Sequence, residues 1–82
     1  MTYVELHEFK TKYISLLALA AENEVEKRIA SEIIKKLYRL RCYTLADLSY
    51  TLYNAVLNKD VSEKFKEICR EALKDVPNVK CR

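Results

Sequence analysis

The side chains best suited to nucleophilic or metal chemistry are one histidine and three cysteines: His7, Cys42, Cys69 and Cys81. A catalytic nucleophile needs a base beside it, and a structural zinc ion needs four Cys or His ligands, usually in close pairs. His7 has only Glu8 beside it, and the chain has no C-x-x-C pair. Glycine is absent, so no Gly-rich loop can hold a phosphate group. We therefore expect no catalytic residue, metal, cofactor or small-molecule substrate, and predict that the protein is not an enzyme.

The number and spacing of the cysteines bear on the redox state of the protein. Three widely spaced cysteines do not form a disulfide framework, so we expect free thiols, buried or in the tail, in a reducing cell. A Cys69–Cys81 or Cys42–Cys69 bridge is the alternative if the source is a hyperthermophile, where intracellular disulfides occur. Many Lys, Glu, Ile and Tyr residues with no Gln favour a thermophilic source.

The start of the chain and its hydropathy bear on location. The first residues, MTYVELHEFK, are acidic where a signal peptide is basic, and they lack an apolar segment. No run of about 18 apolar residues is present, which argues against a transmembrane helix. We expect a cytoplasmic protein that does not contact a membrane.

The composition favours one small helical domain. The chain has 82 residues, half of them hydrophobic and a third charged, with no glycine and one proline. Without glycine, tight hairpin turns are difficult to form, and helices joined by Asn and Asp turns are favoured. We predict an all-α, four-helix bundle-like domain over residues 1–82. Its first two helices should form an antiparallel hairpin, because the turn between them is short, and one continuous helix through Asn23 is the alternative. The helices are expected at about residues 3–21, 24–42, 45–57 and 61–75, with a tail at 76–82.

Each predicted helix has a polar residue at its start that could cap it. An N-cap side chain accepts a hydrogen bond from the first helical turn, and an acidic residue three positions later can return one. The expected pairs are Thr2 with Glu5, Asn23 with Glu26, Thr44 with Asp47 and Asp60 with Glu63.

The second predicted helix carries most of the positive charge. Residues 1–26 have a net charge of −3, residues 27–41 of +5 and residues 42–82 of +1. On a helix, Arg28, Lys35 and Arg39 lie opposite the apolar side, and Lys36 lies nearby. These cations could bind a phosphate backbone or an acidic partner protein, or could simply form a solvated surface.

The third predicted helix is apolar on two sides. Asp47 is the only formal charge between residues 42 and 58. One face contains Leu45, Leu48, Leu52, Ala55 and Val56, while Tyr50, Tyr53 and Leu57 form a second band together with Ala46. Either this helix is at the centre of the bundle, or the second band contacts another chain. We predict that Tyr50, Tyr53 and Leu57 bind a protein partner, in a hetero-complex or a homodimer.

Two functions follow from these surfaces. The first is a non-enzymatic interaction module, an accessory subunit or adaptor of a larger complex. The second is a small DNA- or RNA-binding protein that uses the basic side of the second helix, or a helix-turn-helix-like unit of the third and fourth helices.

Residues 32–73 resemble a known family. The run EIIKKLYRLRCYTLADL, followed after a short helical stretch by NKDVSEKFKEICREAL, is similar to the helical domain of GINS-type replication factors. In that family a helix rich in Lys and Glu carries an L-Y-x-L-R-type segment and leads to another helix pair. The chain departs from the family at Cys42-Tyr43-Thr44, which is often basic there, and it lacks the family's small β-domain. The resemblance implies a non-catalytic subunit of a DNA replication complex, engaged through helix packing.

Overall fold

The computed structural model describes residues 3–81 and contains four α-helices. They are α1 Leu6–Ala20, α2 Glu24–Tyr38, α3 Leu45–Leu57 and α4 Glu63–Asp75. Short 3-10 turns follow α2 and α4, at Cys42–Thr44 and Val76–Asn78, and two strands lie near the chain ends, β1 Val4–Glu5 and β2 Val79–Lys80. The prediction of a small all-α bundle is confirmed.

The four helices form a closed ring. Each helix packs against the next in the chain, and α4 packs against α1. Three residues, 21–23, join α1 to α2. Lys10, early in α1, donates a hydrogen bond from Nζ to the carbonyl oxygen of Tyr38 at the end of α2, at 3.3 Å. The first two helices therefore run antiparallel, as the short turn predicted.

One hydrophobic core fills the ring. Each helix contributes residues three or four apart, which is the spacing of one helix face. The Phe9 and Tyr13 rings of α1 lie 5.0 Å apart in this core. The Tyr13 hydroxyl donates a hydrogen bond to Asp75 Oδ2 at 2.5 Å, which joins α1 to the end of α4. Burial, and then the Asp75 hydrogen bond, raise the pKa of Tyr13 well above its ordinary value.

The chain ends differ from the prediction. Helix α1 begins at Leu6 rather than at residue 3, because β1 pairs in parallel with β2, Val4 opposite Val79 and Glu5 opposite Lys80. The expected tail at 76–82 is thus a 3-10 turn and a strand over its described part, and Val79 is buried. Val79 belongs to the core, and the pairing of β2 with β1 beside α1 holds it there.

Two helix ends were also misplaced. Helix α2 ends at Tyr38 rather than at residue 42, because the chain turns there into the 3-10 segment before α3. Helix α4 begins at Glu63 rather than at residue 61. Its N-cap is Ser62, whose Oγ accepts a hydrogen bond from Phe65 N at 3.4 Å, and not Asp60.

The other predicted caps have different outcomes. Asn23 and Glu26 form the expected capping box, which is described below. Thr44 is the N-cap residue of α3, but its side chain makes no capping hydrogen bond; its Oγ1 instead accepts from Arg41 N at 2.9 Å. The pair of Thr2 and Glu5 cannot be compared in full, because Thr2 lies outside the described residues.

The cysteines are paired differently from either expectation. Cys42, in the turn before α3, forms a disulfide with Cys81, with a Cα–Cα distance of 5.8 Å. Cys69 is a buried thiol in α4. The expectation of three free thiols is therefore wrong, and so are the Cys69–Cys81 and Cys42–Cys69 alternatives. Cys69 faces the core, whereas Cys42 and Cys81 meet beside the strand pair at the end of the bundle.

Candidate interaction surfaces

Helix α3 has an apolar outer face. Tyr50 is 68% exposed, Tyr53 54% and Leu57 61%. At about 100° per residue, these three and the exposed Ala46 fall within about 60° of the helix circumference. We call these four residues the α3 stripe. The buried residues of the same helix, Leu48, Leu52 and Ala55, lie on the opposite side.

The position of α3 in the ring explains why the stripe is exposed. The inner side of α3 packs against α2 and α4, and a helix in a closed ring has no third neighbour to cover its outer side. Asp47, the one formal charge of α3, lies on the α2 side and forms an ion pair with Lys36 Nζ at 2.7 Å. The stripe is thus uncharged, and the nearest charged side chain of its own helix is already paired.

A cleft runs beside the stripe, between α3 and α2. Its volume is about 320 Å³. Tyr50 forms part of its wall together with polar groups of α3, among them Thr51, Asn54 and Asn58, while Ile29 and Glu32 of α2 line the other side. The aromatic surface therefore continues into a concave region with hydrogen-bonding groups.

The predicted basic residues are grouped only in part. Lys35, Lys36 and Arg39 line a second cleft of about 190 Å³ at the end of α2, together with Thr44 and Asp47. Lys35 and Arg39 are exposed, whereas Lys36 is half-buried and held by Asp47.

The fourth predicted cation and the helix-turn-helix unit lie outside this basic cleft. Arg28 is exposed but does not line that cleft. On α4, the candidate recognition helix, Arg70 is paired with Glu63 and Glu67. Of the four predicted cations, only Lys35 and Arg39 are therefore both exposed and close together, while Arg28 lies nearer the start of α2.

A buried carboxylate lies at the opposite end of the bundle from the disulfide. Glu26 is 1% exposed, and one of its oxygens accepts hydrogen bonds from Glu22 N at 2.9 Å and Asn23 N at 3.3 Å. Its other oxygen accepts from Ser62 N at 2.8 Å. Asn23 Oδ1 accepts in turn from Glu26 N at 2.7 Å, which completes the capping box. Glu26 thus joins the α1–α2 turn to the α3–α4 turn.

The hydrogen bonds of Glu26 also explain its acidity. The Ser62 N–H is the largest cause, followed by the Glu22 N–H, and together they lower the pKa of Glu26 to about 2 although burial acts in the opposite direction. The sequence indicated only the local pair with Asn23. The contact with Ser62 joins residues 36 positions apart, and no local pattern signals it.

Of the residues considered for nucleophilic or metal chemistry, His7 and the bonded Cys42 and Cys81 lie at the strand end of the bundle, whereas Cys69 lies in the core. His7 and Cys42 line a cleft of about 380 Å³ at the strand end of the bundle, which Arg41, Tyr43 and Lys80 also border. Burial raises the pKa of the Cys69 thiol to about 12, so this group is protonated at neutral pH. Between residues 3 and 81, no group of three or more His, Cys, Asp or Glu residues could hold a metal ion.

No protein-family model, curated protein or solved structure matches this chain. The similarity of residues 32–73 to GINS-type helical domains therefore stays a prediction. In the described part of the chain, no helix has both the length and the apolar character needed to cross a membrane.

Proposed function

We propose that the protein is a non-enzymatic interaction module that binds another protein chain through the α3 stripe. The observation that carries this proposal is the exposure of Tyr50, Tyr53 and Leu57 on the side of α3 opposite its buried face. Aromatic side chains dominate binding hot spots because they bury a large area at a small entropic cost. In this role the protein is an accessory subunit or adaptor.

The area of the stripe is that of a small contact. Large aromatic and aliphatic side chains expose about 150–250 Å² each when fully accessible, so the three large residues offer roughly 400 Å². At about 25 cal/mol per Å², burying this area favours association by roughly 10 kcal/mol before the costs of immobilisation and desolvation. A contact of this area is typical of weak or transient complexes.

A nucleic-acid-binding role is the second candidate, supported by the cleft that Lys35, Lys36 and Arg39 share. Unpaired cations bind phosphates by releasing counterions, and each contact contributes to the salt dependence of binding. The Lys36–Asp47 ion pair weakens this candidate, because one of the cations is already neutralised. The resemblance to GINS-type factors would join the two roles, with the stripe holding a subunit of a replication or other nucleic-acid-processing complex and the cations facing the nucleic acid.

The proposal is tested by affinity capture with matched variants. Tyr50→Ala/Tyr53→Ala should lose proteins that the wild-type chain captures, while circular dichroism shows unchanged helix content. Tyr38→Ala/Tyr43→Ala is the control, because both of these tyrosines are exposed outside α3. Capture that is equal with all three baits would refute the proposal.

The second candidate has its own test. If the cations bind nucleic acid, affinity for a generic duplex should fall steeply with salt, and Arg28→Glu/Lys35→Glu/Arg39→Glu should abolish it. Absence of binding by the wild-type chain at low salt would exclude this role.

A further inference from the structure

We propose that the chain bound by the α3 stripe is a second copy of this protein, with the two α3 helices packed antiparallel across a two-fold axis. This inference rests on the proposed function and names the partner of the same surface. Two observations carry it, the order of the stripe residues and the absence of charge on the stripe, and the area of the stripe sets the strength expected of the dimer.

The stripe residues follow one another at spacings of four, three and four, so their spacing is the same in both directions along the helix. A two-fold axis between Tyr50 and Tyr53 therefore places Tyr50 opposite Tyr53 of the partner subunit. The same axis places the small Ala46 opposite Leu57 of the partner subunit, so that each leucine enters the space that an alanine leaves. A parallel pair would place leucine on leucine at one end and alanine on alanine at the other, which packs poorly.

The same axis pairs the polar residues that flank the stripe. Ser49 and Asn54 lie on either side of it, and the two-fold axis brings Ser49 opposite Asn54 of the partner subunit. A hydroxyl and an amide can hydrogen-bond to each other, so the margin of the contact would also be matched.

Charge separates the outer side of α3 from that of α4. In a two-fold contact each surface meets its own copy, so charged side chains there must be desolvated and each must be matched by an opposite charge at the position facing it. Asp47, the one charge of α3, is paired with Lys36 of its own chain, and the stripe has none. The outer side of α4, in contrast, exposes Lys64, Glu67, Glu71 and Lys74. A second copy can therefore approach along α3 without repulsion between like charges. The uncharged stripe also has no group that would attract a charged partner protein.

The area sets the strength of the dimer. Roughly 400 Å² per copy gives a total near 800 Å², below the roughly 1,200 Å² at which stable interfaces begin. The dimer should therefore dissociate on dilution. Weak association of this kind is observed by sedimentation velocity and light scattering over a series from micromolar to millimolar protein.

The experiment introduces charged residues into the stripe, first of one sign and then of opposite signs. Wild-type protein should form more dimer as concentration rises, and Tyr50→Glu or Tyr53→Glu should each raise the dissociation constant at least about tenfold. The Tyr50→Lys/Tyr53→Glu double variant should regain the dimer, since each lysine then faces a glutamate of the partner subunit, whereas Tyr50→Glu/Tyr53→Glu should not. Tyr38→Glu, at a tyrosine that is 66% exposed on α2, should dimerise like the wild type.

Each remaining outcome decides between the proposals. A wild-type chain that stays monomeric at millimolar concentration overturns the second-copy proposal. If Tyr50→Ala/Tyr53→Ala then still loses a captured protein, the interaction module stands with a different partner; if it loses none, both proposals fall. A dimer that Tyr50→Glu leaves intact, that Tyr38→Glu disrupts, or that the Lys/Glu pair fails to restore overturns the antiparallel α3 contact. Circular dichroism of every variant confirms that the helices are retained.

Discussion

Replacing Glu26 with glutamine should weaken the bundle by removing the charge that three backbone N–H groups share. The pKa of this carboxyl is lowered from 4.5 to about 2, and each unit of pKa corresponds to about 1.4 kcal/mol between the two protonation states. The charged form therefore contributes about 3 kcal/mol to the free energy of unfolding at neutral pH. That is a large part of the 5–15 kcal/mol that is usual for a domain.

The two possible substitutions at Glu26 should differ in effect. Glutamine keeps one side-chain oxygen that can accept hydrogen bonds from some of the three backbone N–H groups. Its NH₂ group, however, takes the place of the other oxygen and cannot accept a hydrogen bond from the remaining N–H. Alanine leaves the N–H groups of Glu22, Asn23 and Ser62 without their acceptor, at about 1–3 kcal/mol for each one that water does not reach. We therefore expect Glu26→Ala to be less stable than Glu26→Gln, and both to be less stable than the wild type.

The pH dependence distinguishes the charge from simple packing. The pKa is lowered in the folded state, so the stabilisation is complete above the unfolded value of 4.5 and is lost as the pH falls through about 2. Across that window Glu26 should contribute a slope of about 1.4 kcal/mol per pH unit to the wild-type free energy of unfolding. The Glu26→Gln variant lacks this slope, so the difference between the two proteins should be greatest near pH 7 and should shrink toward pH 2.

Urea denaturation followed by circular dichroism between pH 7 and pH 2 measures this difference directly. Glu24→Gln is the matched control, because Glu24 is an exposed carboxylate in the same first turn of α2. A change at Glu24 alters only the interaction with the helix dipole, which is worth at most about 1 kcal/mol. If Glu26→Gln were as stable as Glu24→Gln at pH 7, or if its deficit were independent of pH, the assigned role of the carboxylate would be wrong.

Three further predictions concern the contact between α1 and α4 and the cysteines. Tyr13→Phe keeps the buried ring but removes the hydroxyl that donates to Asp75, and it should lower the free energy of unfolding by about 1–2 kcal/mol in urea titrations; a variant as stable as the wild type would contradict this contact. In the native, unreduced protein no thiol should react with Ellman's reagent at neutral pH, and denaturant should expose one thiol per chain, that of Cys69. Reducing the Cys42–Cys81 bridge, whose ends are 39 residues apart, should lower the free energy of unfolding by up to about 4 kcal/mol, and more than one reactive thiol per chain in the denatured, unreduced protein would show that the bridge is absent.

Sequence patterns predicted the parts of the fold that depend on neighbouring residues. The 3.6-residue period located α3 at residues 45–57, and the spacing of its apolar residues separated Leu48 and Leu52 from Tyr50 and Tyr53. Both signals arise within a few turns of one helix. For the same reason the Asn23–Glu26 capping box could be identified before the fold was known.

Apart from a few helix ends and caps, the features that were missed join distant parts of the chain. The pairing of Val4 with Val79 links residues near the two ends, and two-residue strands are too short to show an alternating pattern. Which cysteines lie close enough to form a bridge depends on where α4 ends relative to the turn before α3, and there Cys81 meets Cys42. Such proximity is decided by the packing of whole helices, which periodicity alone does not describe.

Contacts at both ends of the bundle stabilise the fold, and the α3 stripe takes part in none of them. At one end Glu26 joins two turns by hydrogen bonds, and at the other the strand pair and the Cys42–Cys81 bridge hold the chain ends. The core between them is filled by residues on the inner sides of the helices. Folding therefore places no demand on Tyr50 and Tyr53, and solvation alone would favour polar residues at those positions. Substitutions in the stripe should accordingly change association while leaving stability nearly unchanged.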